Sequence, residues 1–277
     1  MIVTLNRAQA ATAIEWAAAE GWNPGLSDLD SFLAQDAGLF LGAEHDGQLA
    51  SVIAATRYGT DFGFIGFYIA TPAFRGQGLG IEVWRAAMAQ LQGRLIGLDG
   101  VVAQQANYRK SGFSLAWNNV RFGGVPVAIA APASGIVEAA SVPFPAIAAL
   151  DRSVFPAARE AFLRSWLSAP GHIALAAVKD GAVTGFGVIR PAREGHKIAP
   201  LVAEDRATAE ALAAALRARV PAGGSVFLAV AANYRQAVAL AEGLGLTPGF
   251  ETARMYTGPA PEIRAERIFG ITSFELG

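Results

Sequence analysis

Arg75, Gly76, Gly78 and Gly80 stand within YIATPAFRGQGLGIEVWRAAMAQL (residues 68–91), where three glycines alternate with other residues between an apolar run and a helical pattern. Glycine admits positive φ and lets another molecule approach bare N–H groups. At a helix N-terminus such groups converge and the helix dipole adds positive potential, which suits a diphosphate. A plain tight turn is the simpler use of glycine at a strand end. A Rossmann loop would need G-x-G-x-x-G after the first strand of a parallel unit, and a P-loop would need G-K-[ST]. This G-x-G-x-G lies deep in the chain and fits neither.

The surrounding elements decide what the loop can be. IVTLN reads as a strand, residues 7–20 as an Ala-rich helix ending at Gly21, and SDLDSFLAQD as a short helix with Ser27 as N-cap. LFLGAEHDGQLASVIAATRY reads as a hairpin turned at DG, and FGFIGFYIATP as a buried strand leading into the glycine loop. A helix over 79–92, the strand RLIGL, a short helix at QQANYRKS and the strand FSLAWNNVRF complete this half. The second half repeats the plan: GIVEAAS as a strand, two helices over PFPAIAALDRSVF and AAREAFLRSWLS, and a hairpin in HIALAAVKDGAVTGFGVIRPA turned at another DG. HKIAPLVAE, SVFLAVA and ETARMYTG then read as strands, alternating with helices over 205–219 and YRQAVALAEGL, before an FGITSFELG tail. Two copies of one plan imply two similar domains, 1–128 and 129–277, joined near residues 126–136.

Composition narrows the function classes. The chain has 277 residues, 53% hydrophobic and 16% charged, enough to bury sizeable cores. Its net charge of −1 divides near residue 130 into −2 (8 basic, 10 acidic) and +1 (14 basic, 13 acidic). No basic pole exists for nucleic acid or an anionic membrane surface. The absence of cysteine removes disulfides, thiolate metal sites and a cysteine nucleophile, and three scattered histidines do not make a zinc site, so no metal is expected. The acidic residues and Trp16 of the first stretch interrupt any signal-peptide h-region, which gives the expectation of a cytoplasmic protein. The least charged stretch, 122–150, is broken by prolines and glycines and reads as strand, linker and strand rather than as a membrane span.

The strand, Arg75, Gly78 and Gly80 match [RQ]-x-x-G-x-[GA], and YRKSGF (Tyr108 to Phe113) matches Y-x-x-x-G-F on the helix after the next strand. On these two signatures residues 1–125 resemble a GCN5-related N-acetyltransferase (GNAT), and the whole chain resembles tandem members of that superfamily. The resemblance implies an α/β fold of two GNAT-like domains, each a mixed, mostly antiparallel twisted sheet flanked by helices. It implies acetyl-CoA as co-substrate, held by the backbone at Ile69 and Ala70 and by Arg75, Gly76, Gln77, Gly78, Leu79, Gly80 and Asn107. It also implies transfer of the acetyl group to an amine acceptor by direct attack, without an acyl-enzyme. The near-neutral charge favours a small-molecule acceptor over a macromolecule.

Acyl transfer needs a deprotonated amine, a polarised thioester carbonyl and a stabilised thiolate. The resemblance makes Tyr108 the general acid for the sulfur; a tyrosine packed on an amphipathic helix is the plainer alternative. Asp99, Glu44 and Asp30 are candidates for the base, and each also reads as a cap or a solvated charge. The resemblance places Trp22 and Asn23, in EGWNPG, on the loop between the first two helices that overhangs the acceptor in that family, although a C-capping Gly21 followed by a buried Trp also explains them. Gln104, Gln105 and Asn107 read as pocket contacts or as caps. His196 and Arg193 read as surface residues.

The second half departs from the pattern. EDRATAEAL has no glycine, Glu210 falls near the position of Gly78, and Ala241 takes that of Tyr108. A carboxylate there repels a diphosphate, so this half reads as a degenerate copy with a structural or acceptor-shaping role. A non-catalytic acyl-CoA sensor, its second half a regulatory domain, is the rival from another class; Tyr108 favours the enzyme.

Overall fold

The computed structural model describes residues 1–127 and 135–277; the junction expected at 128/129 and most of the linker expected over 126–136 lie outside the described residues. The first half runs β1 (Ile2–Thr4), α1 (Arg7–Ala19), α2 (Asp28–Gln35), β2 (Phe40–His45), β3 (Gln48–Tyr58), β4 (Phe62–Ala70), α3 (Leu79–Gln90), β5 (Leu95–Val101), α4 (Gln105–Lys110) and β6 (Ser114–Gly124). The second runs β7 (Ile136–Glu138), α5 (Phe144–Val154), α6 (Glu160–Ser168), β8 (Ile173–Lys179), β9 (Ala182–Pro191), β10 (His196–Ala203), α7 (Arg206–Arg217), β11 (Val226–Ala231), α8 (Arg235–Gly243) and β12 (Thr247–Tyr256), then a short β13 (Ile268–Gly270).

Local chemistry accounts for many of these boundaries. Asn6 and Gln9 form a reciprocal capping box that starts α1, and Asp205 caps α7 by accepting from the Thr208 N–H at 2.8 Å. Asp46-Gly47 and Asp180-Gly181 all have positive φ, as a two-residue hairpin turn requires. Ser27 differs from expectation: its hydroxyl donates to the Pro170 carbonyl at 2.8 Å, and the carboxylate of Asp28 accepts from the Gly25 N–H instead.

Among the described residues thirteen strands join one sheet, mostly antiparallel, in the order β1-β2-β3-β4-β5-β12-β6-β11-β10-β9-β8-β7, with β13 on β10. The strand after the last helix of each half has crossed over: β12 lies beside β5, and β6 beside β11. β6 and β12 pair antiparallel with Asn119 opposite Thr252, so a quasi-two-fold axis passes between these two buried residues. Arg121 on β6 and Arg254 on β12 occupy equivalent places about it. The sequence repeat is therefore real, but the two sheets are fused by exchange.

Apolar cores lie on the two faces of this sheet. Ala10, Ala13, Ile14 and Ala17 of α1 pack with Phe32, Phe67 and Trp166, so the core under the first helices already contains second-half residues. Ala209, Leu212, Ala213 and Leu216 of α7 cover β8 to β10. Among the described residues no helix is long and apolar enough to cross a membrane, and no group of three His, Asp or Glu side chains is placed to hold a metal ion.

Candidate active site

A cleft forms because β4 bends. Ala54 of β3 faces Gly66 and Val52 faces Ile69, so an extra residue bulges at Phe67, whose φ is +49°. β4 pairs in parallel with β5 only from Phe62–Leu95 to Ile65–Leu98, while β5 continues along β12 to Thr252–Val101. Between Gly66–Ala70 and Asp99–Val101 the strands part around a cavity of about 560 Å³. Its walls carry Trp22, Tyr68, Trp84, Tyr108, Phe250 and Phe274.

Arg75, which opens the glycine loop, lines the cavity. Gly78 is the N-cap of α3 with φ +84°, Gly76 has φ +79°, and a β-carbon at either would meet open space. Among the described residues the N–H groups of Gly76 through Gly80 donate to no protein acceptor. This is a set of free donors at a helix start with no capping side chain in the way. Arg75 Nε donates to the Ala70 carbonyl at 3.0 Å and Nη2 to Glu20 at 2.5 Å, which ties the loop to the ends of β4 and α1. Gln77 Nε2 bonds the Ala73 carbonyl, and Leu79 and Ile69 are buried.

Tyr108 lines the cavity. Its ring stacks on Trp84 at 5.6 Å between centroids and sits over Gly100, where a β-carbon would be 2.1 Å from the ring. Burial, with Tyr68 beside it, pushes the phenol up to about 12, so it is a neutral donor at physiological pH. Among the described residues its hydroxyl has no hydrogen-bond partner.

Three carboxylates line the cavity: Glu20, Asp99 and Glu275. Glu20 holds Arg75. Asp99, expected as a base, is fully engaged: Arg254 reaches both its oxygens, at 2.8 and 2.6 Å, and Asn119 donates to Oδ1 at 2.7 Å. Burial pushes its carboxyl up while Arg254 opposes the shift. Glu275 comes from the segment after β13, as does Phe274, while Phe250 and Thr252 come from β12. None of these four was legible as a site residue, because the strand exchange brings them in from the other end of the chain; FETARMY and FGITSFELG carry only ordinary strand and tail signals.

The other expected residues separate. Trp22 and Gln104 line the cavity. Glu44 and Asp30 lie away from it: Glu44 is on β2 near Gln9, and Asp30 is an exposed partner of Arg7 at 2.9 Å, placed by its helix register on the solvent side. Asn23, at φ +54°, clasps the Glu194 backbone through both amide atoms, at 3.0 and 2.8 Å, and so fixes its loop rather than facing the cavity. Gln105 and Asn107 are turned to neighbours on α4, Gln105 to Arg109 and Asn107 to Gln104 and Lys110. Arg193 pairs with Glu15, and its N–H bonds the Pro24 carbonyl, which makes it a clasp between the halves.

The equivalent cleft of the second half is closed. α7 begins at Asp205, whose carboxylate bonds the helix's own N–H groups, and Glu210 pairs with Arg206. β10 and β11 pair from His196–Val226 to Ile198–Leu228, and where they part β13 fills the gap, pairing with β10 at Leu201–Gly270 and continuing to β11 through the Ile271 N–H and Ala229 carbonyl at 2.8 Å. A cavity of about 250 Å³ remains on that side, between Trp117, Phe155 and Tyr234, with Arg254 in the wall it shares with Asp99.

A bulged strand splayed from its parallel neighbour, a free-donor loop at a helix start and a phenol over the cleft define an acyltransferase built to hold an acyl-CoA. Residues 8–113 match the model of the acetyltransferase (GNAT) family and residues 147–270 that of an acetyltransferase (GNAT) domain. The chain belongs to the GNAT acyltransferase family as a tandem member. It is 30% identical over 264 residues, 95% of this chain and 90% of the relative, to holothin acyltransferase of Pseudoalteromonas sp. (strain SANK 73390). Its fold is similar to that of a putative acetyltransferase from Pyrococcus horikoshii, with TM-score 0.84 and 20% identity over 100% of this chain and 95% of that one. It is also similar to a tandem GNAT protein from the clavulanic acid biosynthesis pathway, with TM-score 0.64 and 16% identity over 94% and 99% of the two chains.

Proposed function

We propose that the chain transfers an acetyl group from acetyl-CoA to the amine of a small molecule by direct attack on the thioester, in the cytoplasm where acyl-CoA pools lie. The observation that carries this reading is one cavity lined by both Arg75, which opens the loop of free N–H groups at Gly76–Gly80, and Tyr108. The N–H groups bind the diphosphate together with Arg75, which exchanges Glu20 for a phosphate oxygen. Backbone groups at Ile69 and Ala70 bind the pantetheine arm and polarise the carbonyl, and Tyr108 protonates the departing thiolate. Trp22 and Gln104 meet the acceptor, with Phe250 and Phe274 opposite; Asn107 borders the cofactor mouth. A relative named for acylating holothin supports a small acceptor. Residues 1–128 thus hold the acyl-CoA and Tyr108, and residues 129–277 complete and shape the acceptor side.

The test is calorimetric titration with acetyl-CoA, followed by thiol release across a panel of amines. One site per chain and heat stabilisation by the ligand are expected. Gly78→Glu should abolish binding, because it sets a charge and bulk against the diphosphate, while its cost in backbone strain is only about 1–2 kcal/mol. Unchanged affinity in that variant would overturn the assignment of the loop.

A further inference from the structure

We propose that Glu275, carried on the tail that follows β13, is the general base that takes the acceptor's proton. This rests on the reading of the cavity as an acyl-CoA-dependent amine acetylation site. Glu275 is the one carboxylate lining that cavity, among the described residues, that is held by no cation: Glu20 is tied to Arg75 and Asp99 to Arg254. Its Oε2 accepts from Ser273 Oγ at 2.6 Å, and no hydrogen bond among the described residues reaches Oε1. Ser273 Oγ in turn accepts from the Glu275 and Leu276 N–H groups at 2.9 and 3.1 Å, which fixes the side chain's direction. The tail itself is anchored on both halves. Tyr58 donates to the Leu276 carbonyl at 2.8 Å, Arg159 to that of Gly277 at 3.1 Å, and Gly66 of the bulged β4 leaves room for the Glu275 carbonyl, which a β-carbon there would meet at 2.0 Å.

Arg121 on β6, Arg190 on β9 and Lys197 on β10 face Glu275 from one side, and Asp99 on β5, neutralised by Arg254, from another; β4 offers only backbone at Gly66. Glu275 Oε1 takes one proton from the acceptor ammonium. The neutral nitrogen then forms the C–N bond, the C–S pair leaves on sulfur, and the second nitrogen proton replaces the one Tyr108 gives to that thiolate. One proton per turnover leaves through Glu275 to water.

In the full chain, Glu275→Gln should lower kcat/KM about 100-fold or more and abolish the acid limb of its pH profile, with acetyl-CoA affinity within about twofold of the parent. Ser273→Ala removes a donor to the ionised carboxylate and should move that limb to higher pH, which a merely structural role would not do. A Gln variant within threefold of the parent rate, or an unmoved limb in Ser273→Ala if the Gln variant fails to fold, overturns the assignment. Calorimetry separates the two readings: acetyl-CoA binding with an unchanged pH profile removes only the base, whereas absence of binding in the parent removes the acetylation reading and the base with it.

Discussion

Tyr108 has what a proton donor to sulfur needs: a neutral phenol held rigid between Trp84 and Gly100, and a hydroxyl unclaimed by the protein. Tyr108→Phe keeps the stacked ring and removes only the donor, so kcat should fall roughly 100-fold while acetyl-CoA affinity stays nearly constant. Stopped-flow thiol release with saturating acetyl-CoA checks this; a fully active Phe variant would assign the proton to water. The glycines and Tyr108 were legible because their chemistry is local: spacing along one loop and one helix fixes which groups converge. Glu275 was not, since its place depends on Gly66 yielding to it across the length of the chain.

The loop between α1 and α2 shows how an element of one half is set by the other. Leu26 donates to the Pro191 carbonyl, Arg193 to that of Pro24, and Gly25 pairs with Ala192, so residues 23–26 run as an added edge along the β9–β10 turn. Arg121 holds the Trp22 carbonyl at 2.8 Å. Beneath the loop, buried Asp28 takes Arg190 at 2.8 and 3.2 Å. Burial would raise the Asp28 carboxyl, but Arg190 and Lys197 bring it below its ordinary value. Burial and the nearby Arg190 press His172 down to about 4, and burial presses Lys197 down to about 8, so the imidazole is neutral here and Arg190 is the partner that matters. Asp28→Asn should destabilise the fold by about 3–5 kcal/mol by stranding a buried guanidinium. In the folded fraction it should raise the acceptor KM more than that for acetyl-CoA, because Trp22 moves with the loop; chemical denaturation and bisubstrate kinetics report the two effects. Hairpins, capped helices and Ser27 as an element boundary were readable from alternation and turn chemistry. That Ser27 and Asn23 serve the second half was not, since a polar side chain in a turn looks the same whether it caps locally or reaches across.

At the scale of the molecule, the exchange of β6 and β12 makes the halves structurally inseparable. A chain of residues 1–134 would lack β12, leaving β5 and β6 without the strand between them, and would lack Phe250, Thr252, Phe274 and Glu275 from its cavity. Alone it should be insoluble or fail to bind acetyl-CoA; co-expressed with 135–277 as a second chain it should regain binding and turnover. Recovery of a soluble, acetyl-CoA-binding 1–134 fragment by itself would show that the sheet closes without exchange. The repeat in the sequence revealed the quasi-symmetry but could not reveal the crossing, because swapped and unswapped sheets present the same alternation and the same apolar faces.

The two clefts also differ in how they are filled. β13 is joined to β12 through only residues 257–267, so it meets its gap at an effective concentration on the order of millimolar or more and never diffuses away. The second cleft is in effect saturated from the moment of folding, and its contribution to stability does not follow the composition of the cell. On the proposed function the first cleft is stabilised in proportion to how far free acyl-CoA exceeds its dissociation constant. Because the sheet is fused, depletion of that pool lowers the stability of the whole molecule while β13 keeps its own gap filled.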